Sequence, residues 1–417
     1  MNELVSTIRL NKSTLPGFTA LARRLVLQRL AGIHTGRLVI VEGAERHSFG
    51  RAPEPGSDLC AEMIVHDPRC YTDIVTGGSL GAAESYMSGD WTSPDLAGLV
   101  RIMTRNMDVL DRMEGSLAVL SRPLLKFFHE RNRNTERGAR RNIAAHYDLG
   151  NGFFRLFLDP AMMYSSAIFP NPRATLEQAS VHKLDLICRK LQLNEKDHVL
   201  EIGTGWGGFA VHAARYYGCR VTTTTISAEQ HRLAADRIRA AGLEDRITLL
   251  QEDYRNLQGR FDKLVSIEMI EAVGWQYYET FYRQCARLLK PDGLMLVQAI
   301  TIDDRRYDRA RCNVDFIQRY VFPGSCIPSQ HALQTAMMRA SDLRLVHVQD
   351  FAGHYARTLR AWNDRFHENI DQVRALGYSE EFIRMWEFYL AYCEGGFAER
   401  AIGLAHLLYA GPQYRGE

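Results

Sequence analysis

Four glycines in the stretch VLEIGTGWGG, from Val199 to Gly208, have the spacing of a ligand-binding turn. They follow an apolar stretch with an acid near its end, and they are Gly203, Gly205, Gly207 and Gly208. A Cβ atom would block both a tight turn and the close approach of a ligand to the backbone, so such a turn needs glycine. The pattern predicts a cofactor turn between a strand and a helix.

Two cofactor classes use turns of this kind. Gly203, Gly205 and Gly208 satisfy the dinucleotide pattern GxGxxG, which would indicate an NAD-type oxidoreductase. The acid expected on the ribose about 20 residues further on is missing, because the next strand ends in TTTTIS with no carboxylate before Glu229. The form ExGxGxG, with its acid on the strand, is instead typical of S-adenosylmethionine sites. The turn therefore favours a methyltransferase.

Apolar segments of helix and strand length alternate after Thr175. We predict helices at 175–191, 207–217, 228–241 and 276–289, and strands at 198–202, 219–226, 247–252, 261–268, 293–301, 343–349 and about 401–410. Strands separated by helices indicate right-handed crossovers. The predicted fold class is α/β, a doubly wound Rossmann-like methyltransferase sheet. We expect it to be largely parallel with an antiparallel last strand, preceded by a smaller α+β domain.

That smaller domain is predicted for residues 1–125. Its first helix, at 17–33, has one apolar face formed by Phe18, Leu21, Leu25, Leu30 and Ile33. The face either packs on its own domain or lies on an anionic membrane surface. Short alternating stretches from Gly36 to about Ile74 indicate a sheet. A basic stretch at 126–145, which is either a solvated linker or a membrane-facing patch, then leads into a catalytic domain at 146–417.

Composition excludes several classes of protein. The 417 residues carry a formal net charge of +2, too small for wholesale nucleic-acid binding. The eight cysteines show no CxxC pair, which argues against a zinc site or a disulfide framework and fits a reduced cytoplasm. Neither a signal peptide nor an apolar run of about 18 residues is evident. We expect a cytoplasmic protein that touches membranes at most from the side.

Nine stretches in order resemble the cyclopropane fatty acid synthase family, including the mycolic acid cyclopropane synthases, over nearly all of residues 140–410. They are HYDLGNGFFRLFLDP, MMYSSAIF, TLEQASVHKLDLICRKLQL, VLEIGTGWGG, TISAEQ, EDYRNL, FDKLVSIEMIEAVG, YVFPGSCIPS and HYARTLRAW. The resemblance implies S-adenosylmethionine as cofactor, an unsaturated phospholipid acyl chain as substrate and a possible homodimer. It also implies that the aromatic segment 146–169 lines an acyl tunnel, which a helical segment at about 303–328 covers. Core packing explains Phe153, Phe154 and Phe157 equally well.

The resemblance also implies which residues line the cofactor. Gly203 and Gly205 should approach its methionine end, Thr225 and Gln230 should contact the ribose, and Asp253 with Tyr254 should contact the adenine. The complete implied set is Tyr164, Ser165, Gly203, Gly205, Thr225, Gln230, Asp253 and Tyr254.

A bound bicarbonate acts as the base in the family, and the resemblance implies where it would bind here. Glu271, the backbone of Ile300 and Tyr355 match the family pattern. Ser166 stands where a cysteine is usual, and Gln298 stands where a histidine is usual. Ser166 keeps the main-chain donor, whereas the Gln298 amide can donate a hydrogen bond but cannot carry charge or relay a proton.

Three hypotheses about function follow. The first is cyclopropane ring formation on the unsaturated chain of a phospholipid, through a carbocation and base-assisted proton loss. The second is the same methyl transfer with a methyl-branched or methylene product. The third is a lipid- and cofactor-binding relative without turnover, which the retention of Glu271 and Tyr355 disfavours. His354, Trp362 and His367 are expected to pack helices or lie on the surface.

Overall fold

The computed structural model describes residues 16–51, 59–114, 134–136, 138, 139, 142 and 149–416. The chain divides into two compact units. One combines the N-terminal part with Asn313–Val321 and Asp371–Glu399, and the other contains most of the rest. The predicted linker at 126–145 lies almost wholly outside the described residues. Within the described ranges, no helix has both the length and the hydropathy needed to cross a bilayer.

The first unit contains a four-stranded sheet in the order β2-β1-β3-β4. The strands are β1 (Arg37–Glu42), β2 (Glu45–Gly50), β3 (Cys60–Val65) and β4 (Trp91–Thr92). The helices in the N-terminal part are α1 (Pro16–Leu30), α2 (Arg69–Met87), α3 (Leu96–Arg105) and α4 (Met107–Glu114). The predicted sheet region of 36–74 is too long at its end, because α2 begins at Arg69.

A late helix, α14 (Glu380–Ala398), also belongs to the first unit. A Cβ on Gly395 would lie 2.5 Å from the Val100 side chain, so this glycine lets α14 approach α3 closely. Arg101 and Arg105 on α3 both pair with the buried carboxylate of Glu399. The sequence-based boundary placed the whole of 146–417 in one domain, because contacts between segments so far apart in the chain have no local sequence signal.

Helix α1 only partly follows its predicted apolar face. Its buried residues include Ala22, Val26 and Leu30, whereas Leu21 is 51% exposed and Leu25 37% exposed. The buried positions recur at i, i+4 and i+8, one residue away from the predicted stripe at its N-terminal end. The two leucines therefore face outward.

The second unit is built on a seven-stranded sheet in the order β10-β11-β9-β8-β5-β6-β7. Its strands are β5 (His198–Ile202), β6 (Arg220–Thr224), β7 (Ile247–Leu250), β8 (Phe261–Ile267), β9 (Leu289–Ile302), β10 (Arg344–Asp350) and β11 (Ile402–Ala410). The last strand, β11, runs antiparallel to both β9 and β10, while β5, β6, β7, β8 and β9 pair in parallel. The predicted fold class is confirmed.

Helices connect these strands, and apolar clusters pack on the sheet. The helices of this unit are α5 (Asn151–Arg155), α6 (Leu176–Lys190), α7 (Gly208–Tyr217), α8 (Ala228–Ala240), α9 (Tyr278–Leu288), α10 (Asp304–Ala310), α11 (Gln330–Ala340) and α12 (Ala352–Glu368). Helix α13 (Ile370–Ala375) lies almost wholly in the first unit. One cluster joins Leu200 to Phe281 and Leu333, and another joins Val199 to Phe209 and Ile187. The segment at 303–328 contains α10 and a π-helical turn at Ile317–Val321. Its role as a tunnel cover stays a prediction.

Candidate active site

The glycine turn follows β5 at the carboxyl edge of the parallel strands. Gly203 (φ 99°), Gly205 (φ 52°) and Gly207 (φ 84°) all have left-handed backbone angles that favour glycine. A Cβ on Gly208 would lie 2.4 Å from Met163 Sδ, so the segment before α6 packs directly on the start of α7. A Cβ on Gly205 would meet no heavy atom of the described residues within 4 Å. The turn therefore borders open space, as a cofactor requires.

One acid and two threonines form side-chain hydrogen bonds near this turn. The Glu201 carboxylate is buried and accepts a hydrogen bond of 2.6 Å from Thr223 Oγ1. Burial raises the pKa of Glu201 to about 8. At the end of β6, Thr225 Oγ1 donates to Gln230 Oε1 at 2.8 Å, and both side chains are buried. These two predicted cofactor residues are thus neighbours at the start of α8.

The two residues predicted at the adenine differ in what they offer. The Tyr254 side chain is largely enclosed, and its hydroxyl has no hydrogen-bond partner among the described residues. The Asp253 carboxylate is already taken up by Arg255, whose Nη2 lies 2.7 Å away. Asp253 also caps the short 3₁₀ turn that follows it. The Asp253 carboxylate is therefore already engaged within the protein, whereas the Tyr254 hydroxyl has no partner among the described residues.

The aromatic segment before α6 is mainly a packed core. Phe153, Phe154 and Phe157 are fully buried and contact one another at ring distances of 5.5–5.9 Å. Tyr164 is less buried, and its ring packs against Trp362 at 5.4 Å. These contacts favour the packing interpretation of the phenylalanines. The tunnel role of 146–169 stays a prediction, and residues 146–148 lie outside the described residues.

Three groups predicted to hold bicarbonate converge instead on the carboxylate of Glu268. The backbone N–H of Ser166 donates to Glu268 Oε1 at 2.9 Å, and Gln298 Nε2 donates to the same oxygen at 2.7 Å. The Tyr355 hydroxyl donates to Glu268 Oε2 at 2.7 Å. Glu268 follows β8 directly and adopts a positive φ of 48°, which turns its side chain back toward these donors.

The other two predicted bicarbonate ligands bind each other. The backbone N–H of Ile300 donates to Glu271 Oε1 at 2.5 Å, and Glu271 Oε2 has no partner among the described residues. Burial, with the nearby charge of Glu268, raises the pKa of Glu271 to about 8. A further anion would lose its main donors to Glu268 and face two buried carboxyl groups. Bicarbonate does not fit this arrangement, because Glu268 takes up three of the donors that the resemblance assigns to the anion.

Burial also raises the pKa of Glu268, against the opposing effect of its hydrogen bonds and of Lys183. Lys183 is itself fully buried on α6 and donates to Ser165 Oγ at 2.7 Å. Burial lowers its pKa to about 8, although Glu268 is among the acids that oppose this change. Ser165, predicted to line the cofactor, thus anchors a buried lysine beside the acids.

The sequence analysis did not predict the roles of Glu268, Lys183 and His406. His406 on β11 is paired with Gln298 on β9, and its Nε2 donates to Gln298 Oε1 at 2.8 Å. Lys190 Nζ donates to the other ring nitrogen at 3.2 Å. This chain holds the Gln298 amide with its nitrogen toward Glu268. The available sequence signal was His406, which lies inside the otherwise apolar stretch IGLAHLLYA.

Fold and site together define a methyltransferase of the Rossmann-like class, with a glycine turn for its cofactor beside a buried carboxylate. Residues 134–407 match the family model described as mycolic acid cyclopropane synthetase. The chain belongs to this family of S-adenosylmethionine-dependent enzymes.

Relatives within the family carry out more than one reaction. The chain is 38% identical over 392 residues to tuberculostearic acid methyltransferase UfaA1 of Mycobacterium tuberculosis, covering 91% of this chain and 88% of the relative. It is 36% identical over 353 residues to the cyclopropane-fatty-acyl-phospholipid synthase of Escherichia coli, covering 84% and 88%. The solved structure of mycolic acid cyclopropane synthase CmaA1 with SAH and CTAB matches with a TM-score of 0.61 at 30% identity, covering 65% of this chain and 98% of that chain.

Proposed function

We propose that this enzyme methylates the carbon–carbon double bond of an unsaturated acyl chain in a phospholipid and closes a cyclopropane ring. The bound S-adenosylmethionine supplies the electrophilic methyl group. The observation that carries the proposal is the pair of neighbouring acids, the half-buried Glu268 and the buried Glu271, at the same sheet edge as the glycine turn. Ring closure needs a group that removes a proton in a site poor in water, and this edge offers one.

The chain's own residues support each requirement of this reaction. The open space above Gly205 leaves room for the cofactor. The ring of Tyr164 is partly exposed and packs on the buried Trp362 at 5.4 Å, so it can present an aromatic face that stabilises a developing carbocation by roughly 0.5–2 kcal/mol. Burial of a long acyl chain contributes about 0.8 kcal/mol per CH₂, so the substrate can be held without polar contacts.

A second candidate is methylation without ring closure, which leaves a methyl-branched or methylene product. The observation that favours it is the similarity to a tuberculostearic acid methyltransferase over 91% of this chain. The presence of Gln298 in place of the expected histidine is compatible with a change in how the cation is resolved. Both candidates share the cofactor, the substrate class and the methyl-transfer step.

The proposed substrate places the protein at the cytoplasmic face of a membrane, bound peripherally. The exposed Leu21 and Leu25 on α1, with Arg24 and Arg29 exposed on the same helix, give the first unit an apolar and basic surface for this. Basic residues near anionic lipid contribute about 1 kcal/mol each, and exposed leucines can insert between head groups. A homodimer is part of the same proposal, on the family resemblance alone.

The test is to incubate the purified protein with S-adenosylmethionine and vesicles of monounsaturated phospholipid, and to analyse the recovered fatty acids by proton NMR. High-field cyclopropyl signals are the expected result. Signals of a methyl branch or of vinylidene protons would establish the second candidate instead. Unchanged lipid, in a sample that binds the cofactor by calorimetry, would contradict both.

A further inference from the structure

We propose that Glu268 is the catalytic base of this enzyme, and that its carboxylate stands in the place that the family resemblance assigns to bicarbonate. This inference rests on the proposed function, since a base is needed only if methyl transfer leaves a cation to be resolved. It concerns a residue that the family pattern did not mark as functional.

The groups that donate hydrogen bonds to Glu268 are groups that the resemblance assigns to bicarbonate. Ser166 N, Gln298 Nε2 and the Tyr355 hydroxyl occupy three of the positions expected to hold bicarbonate, and all three donate to Glu268 at 2.7–2.9 Å. A carboxylate and a bicarbonate share a planar O–C–O group with one negative charge. The side chain therefore offers these donors the same shape and charge as the free anion, held by a covalent tether.

Glu268 lies at the same edge of the sheet as the glycine turn that is predicted to hold the cofactor. Glu201 pairs with Val265 across β5 and β8, so the chain reaches Gly203 and Glu268 within a residue of the same level at the sheet edge. Ser266 Oγ donates to Ile202 O at 3.1 Å, and a Cβ on Gly203 would lie 3.3 Å from Met269 Cγ. Glu268 is thus next to the cofactor turn. The residue as a whole is of intermediate exposure.

The surrounding hydrogen bonds and charges favour Glu268 over Glu271 as the base. Glu271 is held near a pKa of about 8 and is largely protonated at neutral pH. Glu268 has hydrogen bonds from three donors and the nearby Lys183 to favour its ionised form. Burial raises the pKa of Glu268 as well, but its carboxylate accepts three hydrogen bonds, whereas that of Glu271 accepts one from Ile300. A negative charge is therefore better compensated on Glu268 than on Glu271, which favours Glu268 as the group that accepts the proton.

The chemical step balances without any further reagent. The π pair of the alkene forms the bond to the transferred methyl carbon, whose bonding pair to sulfur stays on the sulfur, and the second alkene carbon becomes cationic. Glu268 removes one proton from the new methyl group, and the C–H pair closes the ring onto the cationic carbon. The proton passes to solvent before the next turnover. No oxidant or reductant is required.

The test compares Glu268→Ala, Glu268→Gln and a matched control, Glu244→Gln, at an exposed acid of the same unit. Turnover on monounsaturated phospholipid vesicles is measured in buffer freed of carbon dioxide, with and without added bicarbonate or formate. We expect wild type and control to be active in both buffers. Both Glu268 variants should lose about 10²- to 10⁴-fold in turnover, and small anions should restore part of it only in Glu268→Ala, which leaves the donors free. Melting temperature and cofactor affinity report whether the variants fold.

Binding of ¹³C-bicarbonate, followed by NMR, gives a readout that does not depend on turnover. It should bind to Glu268→Ala but not to wild type or Glu268→Gln. Bicarbonate binding to wild type, or wild-type turnover by a folded Glu268→Ala variant without added anion, would overturn the proposal. If wild type transfers no methyl group to lipid, the proposed function fails, and the binding result still decides whether Glu268 replaces the anion.

Discussion

At the scale of single residues, the site contains two neighbouring acids, Glu268 and Glu271, and the proposed reaction needs only one of them to be ionised. Glu268 has three hydrogen-bond donors, whereas Glu271 has the backbone N–H of Ile300 on one oxygen and no partner among the described residues on the other. Burial without compensation is tolerated most easily by a neutral acid. The difference in partners therefore separates the two acids, and it gives Glu271 a measurable effect on stability.

We predict that Glu271→Gln removes a pH-dependent loss of stability. The folded-state pKa of about 8 lies above the ordinary value of 4.5, so between these pH values the native state binds more protons than the unfolded state. The free energy of unfolding then falls as pH rises, by up to about 1.4 kcal/mol per pH unit from this group. Glutamine cannot ionise, so the variant should gain stability relative to wild type as pH rises.

Melting temperatures of wild type and Glu271→Gln at about pH 5 and about pH 8 check this expectation. The difference between the two proteins should be small at the lower pH and should favour the variant at the higher pH. Glu244→Gln, at an exposed acid, is the control for a simple loss of charge. A difference that does not change with pH would contradict the assignment of a raised pKa to Glu271.

At the scale of elements, local sequence pattern predicted the second unit well. The strands at β5 and β8 and the helices α6 and α7 begin and end within about two residues of their predicted bounds. Period and glycine punctuation are local signals, so they suffice for such elements. The meeting of Ser166, Gln298 and Tyr355 at Glu268 is not local, because it depends on strand register and on the packing of α12. Sequence analysis identified the three donors but missed the acid they bind.

The glycine turn gives a prediction at this scale. Gly205→Ala should fold, since the added methyl group meets no atom in the described part of the chain, with a cost of about 1 kcal/mol for an alanine at positive φ. It should also weaken S-adenosylmethionine binding by tenfold or more, because the methyl group enters the space left for the cofactor. Calorimetry measures the affinity.

Gly242→Ala is the matched control for this turn. Gly242 has a similar φ of 65°, and a Cβ there would also meet no atom of the described residues within 4 Å. It lies just after the C-terminal end of α8, away from the glycine turn. Its substitution should cost similar stability and leave cofactor affinity unchanged. Equal affinity losses in the two variants would mean that the turn does not contact the cofactor.

At the scale of the whole molecule, the two units differ in how far the sequence revealed them. The division near residue 126 was suggested by composition, but the return of α14 to the first unit was not. Its small Gly395 and the paired Glu399 become meaningful only when α3 is known to lie beside them. The exposure of Leu21 and Leu25 on α1 likewise emerges only from the observed burial, since the helical period left open whether this face packs on its own domain or lies on a membrane.

We predict that the double change Leu21→Asp and Leu25→Asp weakens binding to vesicles that contain anionic phospholipid. The apolar side chains would otherwise enter the head-group region, and aspartate adds repulsion from the lipid charge. Vesicle sedimentation measures the bound fraction. The control is Met338→Asp, at an exposed apolar residue that belongs to the second unit, whereas Leu21 and Leu25 belong to the first. An equal loss in the control, or no loss in the double variant, would place the membrane surface elsewhere.

The most direct test of the account follows the hydrogens of the transferred methyl group. The enzyme is supplied with S-adenosylmethionine that carries a trideuterated methyl group and with monounsaturated phospholipid, and the product acyl chains are weighed by mass spectrometry. If Glu268 removes a proton from the new methyl group, each modified chain retains two of the three deuterons. Retention of all three, or lipid that contains no deuterium, would contradict the central claim.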